Sequence, residues 1–481
     1  MEQLVETGRK AMDHAQKLGV DEAEIYLYTE NHISAKFVGG IFASRGGAVK
    51  GLTGLFARIG ESWIKKKGLP ITRSGIKAGV GIRAVVNKAT GFSSVSSIAD
   101  KQILEAVEEA VKIAKIRPPD PNWVALPEHS RPSSQRARFD ENVANLDVEE
   151  ALDMCAECCV VGGDFDKRIV NVMSMVLVSS SSFAVVNTRG VEAFDRGTAF
   201  GAYADFKAKA GGDEVSGGDF IHSRTLIRDL DPFASSVAKR ATECLGRKPL
   251  PEKYVGPVVF ENASWNELFT SIFTYATSAL NVQENRSVYK GKLGEKVADA
   301  KVTVVDDGTL PDGLGTAGTD DEGVPRQKTP VMEKGVLNSF LHNNYSARRD
   351  SVGSTGNASR QRAFGSVAYA NQPVISPSNL ILTSGKGDLN TLLGEVGDCI
   401  LVKGFMIGAG HSNAVTGDFS VTAGTAFEVE KGAVAYPLKP CTVAGNLYDS
   451  LNKIIAVGDD LKTSFNVICP SVAIDKIVVS T

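Results

Sequence analysis

The sequence predicts an α+β fold, a mixed α/β N-terminal domain followed by a β-rich C-terminal domain with a few packed helices. Three observations carry that prediction. Glycine supplies 48 of the 481 residues, which implies many tight turns and strand connections. Three hairpin signals, Asn187-Thr188-Arg189-Gly190, Glu333-Lys334-Gly335 and Glu430-Lys431-Gly432, each set glycine between runs of β-formers. The settings of the last two, PVMEKGVLNSFL and FEVEKGAVAYP, form a weak internal echo without the fixed period of a solenoid. At the N-terminus, helical spacing gives way to strand-like segments and then returns, an α-β-β-α order.

The elements follow in turn. Leu4, Ala11, Ala15 and Leu18 recur at near-helical spacing, so residues 2–18 form an amphipathic helix ending near Gly19. Strands are expected at Glu24 to Thr29 and Ile33 to Val38. Residues 51–68 place Leu52, Leu55, Phe56, Ile59 and Trp63 on one helical face, with Arg58 and Lys65 to Lys67 toward the polar side. This inserted helix would cover a sheet edge or face, or dock a partner or a membrane surface. Ile103, Leu104, Val107, Ala110, Val111 and Ala114 mark a helix from Asp100 to Ile116. The proline-rich stretch from Ile116 to Ser134 reads as a linker or long surface crossing.

A helix near Val148 to Cys159 leads into strands at Ile169 to Val178, Phe183 to Val186 and Ala193 to Phe206. A long helix is expected from Thr225 to Leu245, then a strand at VGPVVF, a helix from Trp265 to Leu280, and mostly strands beyond. The domain division expected is 1–116, then a linker and central β-rich segment over 117–224, then 225–481.

Composition excludes several function classes. The formal net charge is −3, which gives no electrostatic reason for a nucleic-acid surface. No apolar run approaches the roughly 20 residues needed to span a bilayer, and the polar, helical N-terminus does not read as a signal peptide. A cytoplasmic location is expected. Seven cysteines without framework spacing fit reduced thiols there. Cys155, Cys158 and Cys159 fall at the spacing of a buried helical stripe, and no second pair follows to complete a zinc site.

The stretch from Gly408 to Leu461 reads GAGHSNAVTGDFS, TVAGNL and IIAVGDDL, with Cys469 following shortly after. In this order these residues resemble the C-terminal signature of the TldD/PmbA family, metallopeptidases also labelled modulators of DNA gyrase. The resemblance spans about 250 to 475 by motif and the N-terminal half by element order only. In the TldD-like branch it implies a helix bearing HExxxH, whose histidines join a C-terminal cysteine on a metal while the Glu acts as general base. That motif should fall on Thr270 to Tyr275, which here reads TSIFTY. The chain therefore resembles the PmbA (TldE) branch, with no catalytic residue and no metal or cofactor of its own expected. The metal, zinc or a similar divalent ion, is expected in a partner subunit. A zinc site needs about three protein ligands, and the six histidines are scattered along the chain.

Weak metal candidates are Cys469, at the family's cysteine position, and His411. The resemblance assigns substrate binding to Thr416, Gly417, Asp418, Phe419 and Ser420, which line the family's peptide cleft. Ser354, Thr355, Gly356 and Asn357, followed by Arg360 and Arg362, are similar to a second family segment suited to a peptide channel. Asp320-Asp321-Glu322-Gly323 resembles the family's DxEG turn, where carboxylates would bind nearby backbone amides and Gly323 would close the turn.

The function expected is a non-catalytic subunit that pairs with a TldD-like chain and guides unfolded peptide to its metal. The rivals are a self-sufficient metallopeptidase with an atypical site and a homodimeric peptide binder. A DNA-binding or gyrase role comes last, given the acidic balance.

Overall fold

The computed structural model describes residues 2–40, 68–361 and 367–481. The helix expected over 51–68 therefore lies outside the described residues but for its last position, as does Arg362.

Six antiparallel strands form the N-terminal sheet. Helix α1 (Glu2–Lys17) precedes β1 (Glu22–Gly40), then come β2 (Leu69–Val86), β3 (Ala89–Val95) and helix α2 (Asp100–Ile116). Helices α3 (Glu141–Ala144) and α4 (Val148–Asp164) lead to β4 (Ile169–Asn187), β5 (Glu192–Ala210) and β6 (Asp213–Ser223). The strand order is β3-β2-β1-β4-β5-β6, so β1 is flanked by a near neighbour in sequence and by a distant one. Two strands are longer than the sequence suggested. β1 runs unbroken through Glu30, Asn31 and His32, and β4 through Ser179 to Ser182, because each is paired along both edges there.

Alternation divides the sheet's two faces. On one, Ile25, Leu27, Val80 and Ile82 pack beneath α1 and α2. Farther along, Ala35, Phe37, Val172, Val176 and Phe206 pack beneath α4 and beneath α5 (Asp231–Glu243). Cys155, Cys158 and Cys159 belong to this buried stripe, and burial raises the pKa of all three thiols. Helix α5 starts six residues later than expected, at Asp231, with Pro232 in its first turn where the missing N–H costs nothing.

The other face carries Glu24, Tyr26 and Tyr28 toward the C-terminal half. The proline-rich crossing is pinned between the two. Its Trp123 indole and Leu126 N–H both donate to Glu22, at 3.0 Å each. Tyr345 in turn donates to its Asp120 at 2.9 Å, and Asn344 donates to the carbonyl of Ala125 at 2.7 Å.

The C-terminal half holds a nine-stranded and a six-stranded sheet. Strand β7 (Tyr254–Phe260) lies inside the larger one, between Cys399–Val402 and Val472–Ser480. The pair Met406–Ile407 forms one outer edge of that sheet, beside Asp418–Ala423. The two EKG hairpins form as the echo implied. Lys334 and Gly335 have φ of 48° and 79°, and Lys431 and Gly432 have 51° and 78°, the paired positive values of a two-residue type I′ turn. Among the described residues no helix is long and apolar enough to cross a membrane.

Candidate functional site

The helix at the expected metal position is packed into the core and tied to neighbouring strands. It begins as α6 (Asn262–Leu268), passes through a π turn at Phe269–Phe273 and ends with Thr274–Ala276. The continuous helix expected over 265–280 is thus interrupted, and a separate short helix follows at Ala279–Gln283. Trp265, Leu268, Phe269, Ile272 and Phe273 anchor it in the largest core. Just before it, Glu261 accepts from both Arg240 Nη atoms at 2.7 and 3.1 Å and from Gly404 N–H at 2.8 Å. Burial opposes the charge of Glu261, but Arg240, with Lys403 and the Gly404 N–H, more than offsets it, and its pKa lies below the ordinary value. Ser264 donates to the carbonyl of Gly404 at 2.6 Å, and Asn266 donates to that of Val467 at 2.9 Å.

The π turn bears on chemistry. Hydrogen bonding from i to i+5 widens a helical turn, so residues five apart come toward one face, and such turns concentrate at functional sites. The two ends of TSIFTY, Thr270 and Tyr275, are five apart. The π turn thus brings positions spaced as in HExxxH toward one face, while the side chains there do not supply the ligands. The Thr270 hydroxyl donates to Asn266 Oδ1 at 3.1 Å, and that of Thr274 to the carbonyl of Thr270 at 2.6 Å.

The two weak metal candidates do not complete a site. Cys469 is fully buried, and burial pushes its thiol pKa well up. His411 is exposed at the end of a single turn, Ala409–His411, whose first residue is buried. Among the described residues no three His, Cys, Asp or Glu side chains gather as a ligand set. The donors present at this helix do not fit a catalytic metal ion.

The two proposed substrate segments differ in character. Thr355 and Asn357 are buried, Ser354 is half-buried, and Gly356 has φ of +70° against the backbone of Pro325. Thr355 donates to Asn357 Oδ1 at 2.6 Å, and Asn357 donates to Asp306 Oδ2 at 2.7 Å. Asp306 is itself fully buried, which pushes its pKa up to about 6. Thr416 and Asp418, by contrast, are exposed at the start of a strand that borders the sheet edge. Thr416 donates to Asp418 Oδ2 at 2.7 Å and Asn446 to Oδ1 at 2.9 Å, and these bonds lower the Asp418 pKa. Gly417 has φ of +88° beneath Tyr448, Phe419 turns into the core, and Ser420 is exposed. No hydrogen bond among the described residues joins the two segments.

The DDEG turn makes the local bonds expected of it. Asp320 Oδ1 accepts from the N–H of Glu322 and of Val324, both at 2.9 Å, and Gly323 has φ of +83°. The same turn also reaches across the molecule, which its sequence did not indicate. Glu322 accepts from Arg83 at 2.8 Å, Arg83 also donates to Glu24 at 2.7 Å, and Arg360 completes the group by pairing with Glu24.

Sequence reasoning also passed over Glu267. This half-buried carboxylate sits one turn before Thr270 and Ser271 on the exposed side of the helix. Its Oε2 accepts the Met406 N–H at 2.7 Å, and burial raises its pKa to about 7. Nothing in the surrounding sequence distinguishes it from any surface glutamate.

Family profiles described as PmbA/TldA metallopeptidase domain 1, central domain and C-terminal domain match residues 68–114, 141–245 and 251–481. The chain is 26% identical over 420 residues to a metalloprotease PmbA homolog of Haemophilus influenzae, covering 83% of this chain and 85% of that one. It is 26% identical over 396 residues to a metalloprotease of Methanocaldococcus jannaschii, covering 81% and 85%. A Thermotoga maritima structure designated a modulator of DNA gyrase superposes with a TM-score of 0.82 at 26% identity, covering 99% of both chains. TldE from Thermococcus kodakarensis shares the fold with a TM-score of 0.81 at 24% identity, covering 99% and 100%.

Proposed function

The chain belongs to the PmbA/TldA metallopeptidase family, and from that premise we propose that it is a PmbA/TldE-like, non-catalytic subunit of a peptidase complex. One observation supports this reading above the rest. The helix that should hold the metal has the π-turn backbone for a five-residue ligand spacing, yet offers hydroxyl, phenol and hydrocarbon groups at those positions. A TldD-like partner would supply the ion and the general base, and this chain would present unfolded peptide to it. On the short outer strand Met406–Ile407 the Ile407 side chain is 73% exposed, which offers an apolar contact to such a peptide.

The test is reconstitution. The purified chain alone should lack peptidase activity, and activity should appear on mixing with an HExxxH-bearing partner that co-purifies with it. Full activity from the isolated chain with near-stoichiometric bound metal would favour a self-sufficient enzyme instead. A stable homodimer that binds peptide, in an organism that encodes no TldD-like chain, would favour a stand-alone binder.

A further inference from the structure

We propose that Glu267 recognises a positively charged group of the bound peptide, its terminal ammonium or a lysine side chain, and so sets where the peptide ends or registers along the cleft. This inference rests on the peptide-binding reading above.

Three observations on the carboxylate lead there. Its two oxygens are in different situations. Oε2 is fixed by the Met406 N–H, whereas Oε1 has no hydrogen-bond partner among the described residues. No ion pair involves Glu267 among the described residues, and burial and the Met406 N–H are the influences on its ionisation. A half-buried carboxylate with one free oxygen and no countercharge is complemented best by an incoming cation, since the charge-assisted bond also offsets its desolvation.

The position narrows the choice of ligand. Met406 belongs to the two-residue edge strand, paired on its inner side with Ala423. Its N–H is spent on Glu267 and is unavailable to an added strand. A peptide laid along this edge therefore finds no free N–H at Met406 and meets the Glu267 carboxylate beside it. The neighbouring helix positions Thr270, Ser271 and Thr274 bear only neutral hydroxyls, so Glu267 is the charged group on that face of the helix.

The experiment uses three peptides of one apolar sequence, each labelled at the C-terminus. One has a free N-terminal amine and no lysine, one is acetylated and carries a single lysine, and one is acetylated without lysine. Fluorescence anisotropy measures their binding to the full chain and to Glu267→Gln, which keeps an oxygen for the Met406 N–H. The wild type should bind at least one cationic peptide about tenfold more tightly than the neutral one, the expected worth of a bond to a charged group. E267Q should abolish that preference while binding the neutral peptide unchanged and melting no lower than the wild type. Which cationic peptide is preferred identifies the source of the ammonium. Equal binding of all three to the wild type, or a preference that survives in E267Q, would overturn the inference and leave the peptide reading standing. Binding of none would remove the peptide reading and this inference with it.

Discussion

Glu24, near the start of the central strand of the N-terminal sheet, forms an ion pair with Arg360, 336 positions later, and both side chains are fully buried. Glu24 also binds Arg83, which in turn binds Glu322 of the DDEG turn. Two carboxylates and two guanidinium groups thus balance one another between the halves of the molecule.

Removing one charge from that group leaves another buried and uncompensated. Glu24→Gln should destabilise the protein by about 3–5 kcal/mol. Urea denaturation measures this, and a loss below about 1 kcal/mol would show that the group is more hydrated than its burial implies.

The ionisation of Glu267 predicts a stability change of defined sign. Its pKa rises from the ordinary 4.5 to about 7 on folding. The folded state therefore holds the proton more tightly than the unfolded state, a contribution fully present below 4.5 and lost as pH rises through 7. Glu267→Gln removes the titration. It should be near neutral at pH 4.5 and stabilising by roughly 1–3 kcal/mol at pH 8.5, allowing for partial exposure. Thermal melts at the two pH values check this, and equal effects at both would contradict it.

If the π turn has metal-site geometry, supplying ligands should suffice to recruit metal. The triple variant Thr270→His, Ser271→Glu and Tyr275→His should bind about one zinc ion per chain, while the parent retains little after dialysis. Elemental analysis by mass spectrometry reads the difference. A triple variant that folds yet stays free of zinc would separate this backbone from that of a metal helix.

The TGDFS loop separates shape from contact. A Cβ at Gly417 would lie 2.4 Å from the Tyr448 ring in a backbone with φ of +88°, so Gly417→Ala should cost roughly 1–3 kcal/mol. Asp418→Asn is exposed and should change stability by under about 0.5 kcal/mol. If the loop lines the peptide cleft, D418N should still weaken peptide binding. Unaltered affinity in D418N would assign the loop a purely architectural part.

Periodicity located most helices because their buried stripes are local, as with Ile103, Val107, Ala110 and Ala114 under the first sheet. It misjudged the long strands. Glu30 and His32 interrupt the apolar pattern of β1, yet the strand continues, since its ladder is fixed by β2 and β4 rather than by its own side chains. The same holds for the serine run in β4. Within the site, a motif of known spacing could show that ligands were missing at 270–275, and glycine could mark the DDEG turn. The pairing of Glu322 with Arg83, and that of Glu267 with the Met406 N–H, depend on segments that only the fold brings together.

The position of β1 between β2 and β4 also constrains biosynthesis. Residues 24 to 40 pair with residues 171 to 187, so the first helix and hairpin leave the ribosome with one flank of their central strand unmatched. That flank waits through well over a hundred further residues of translation. Such long-range closure slows folding and leaves an adhesive edge on the nascent chain, and a chaperone that shields it during synthesis would raise the yield of this protein more than one acting after release.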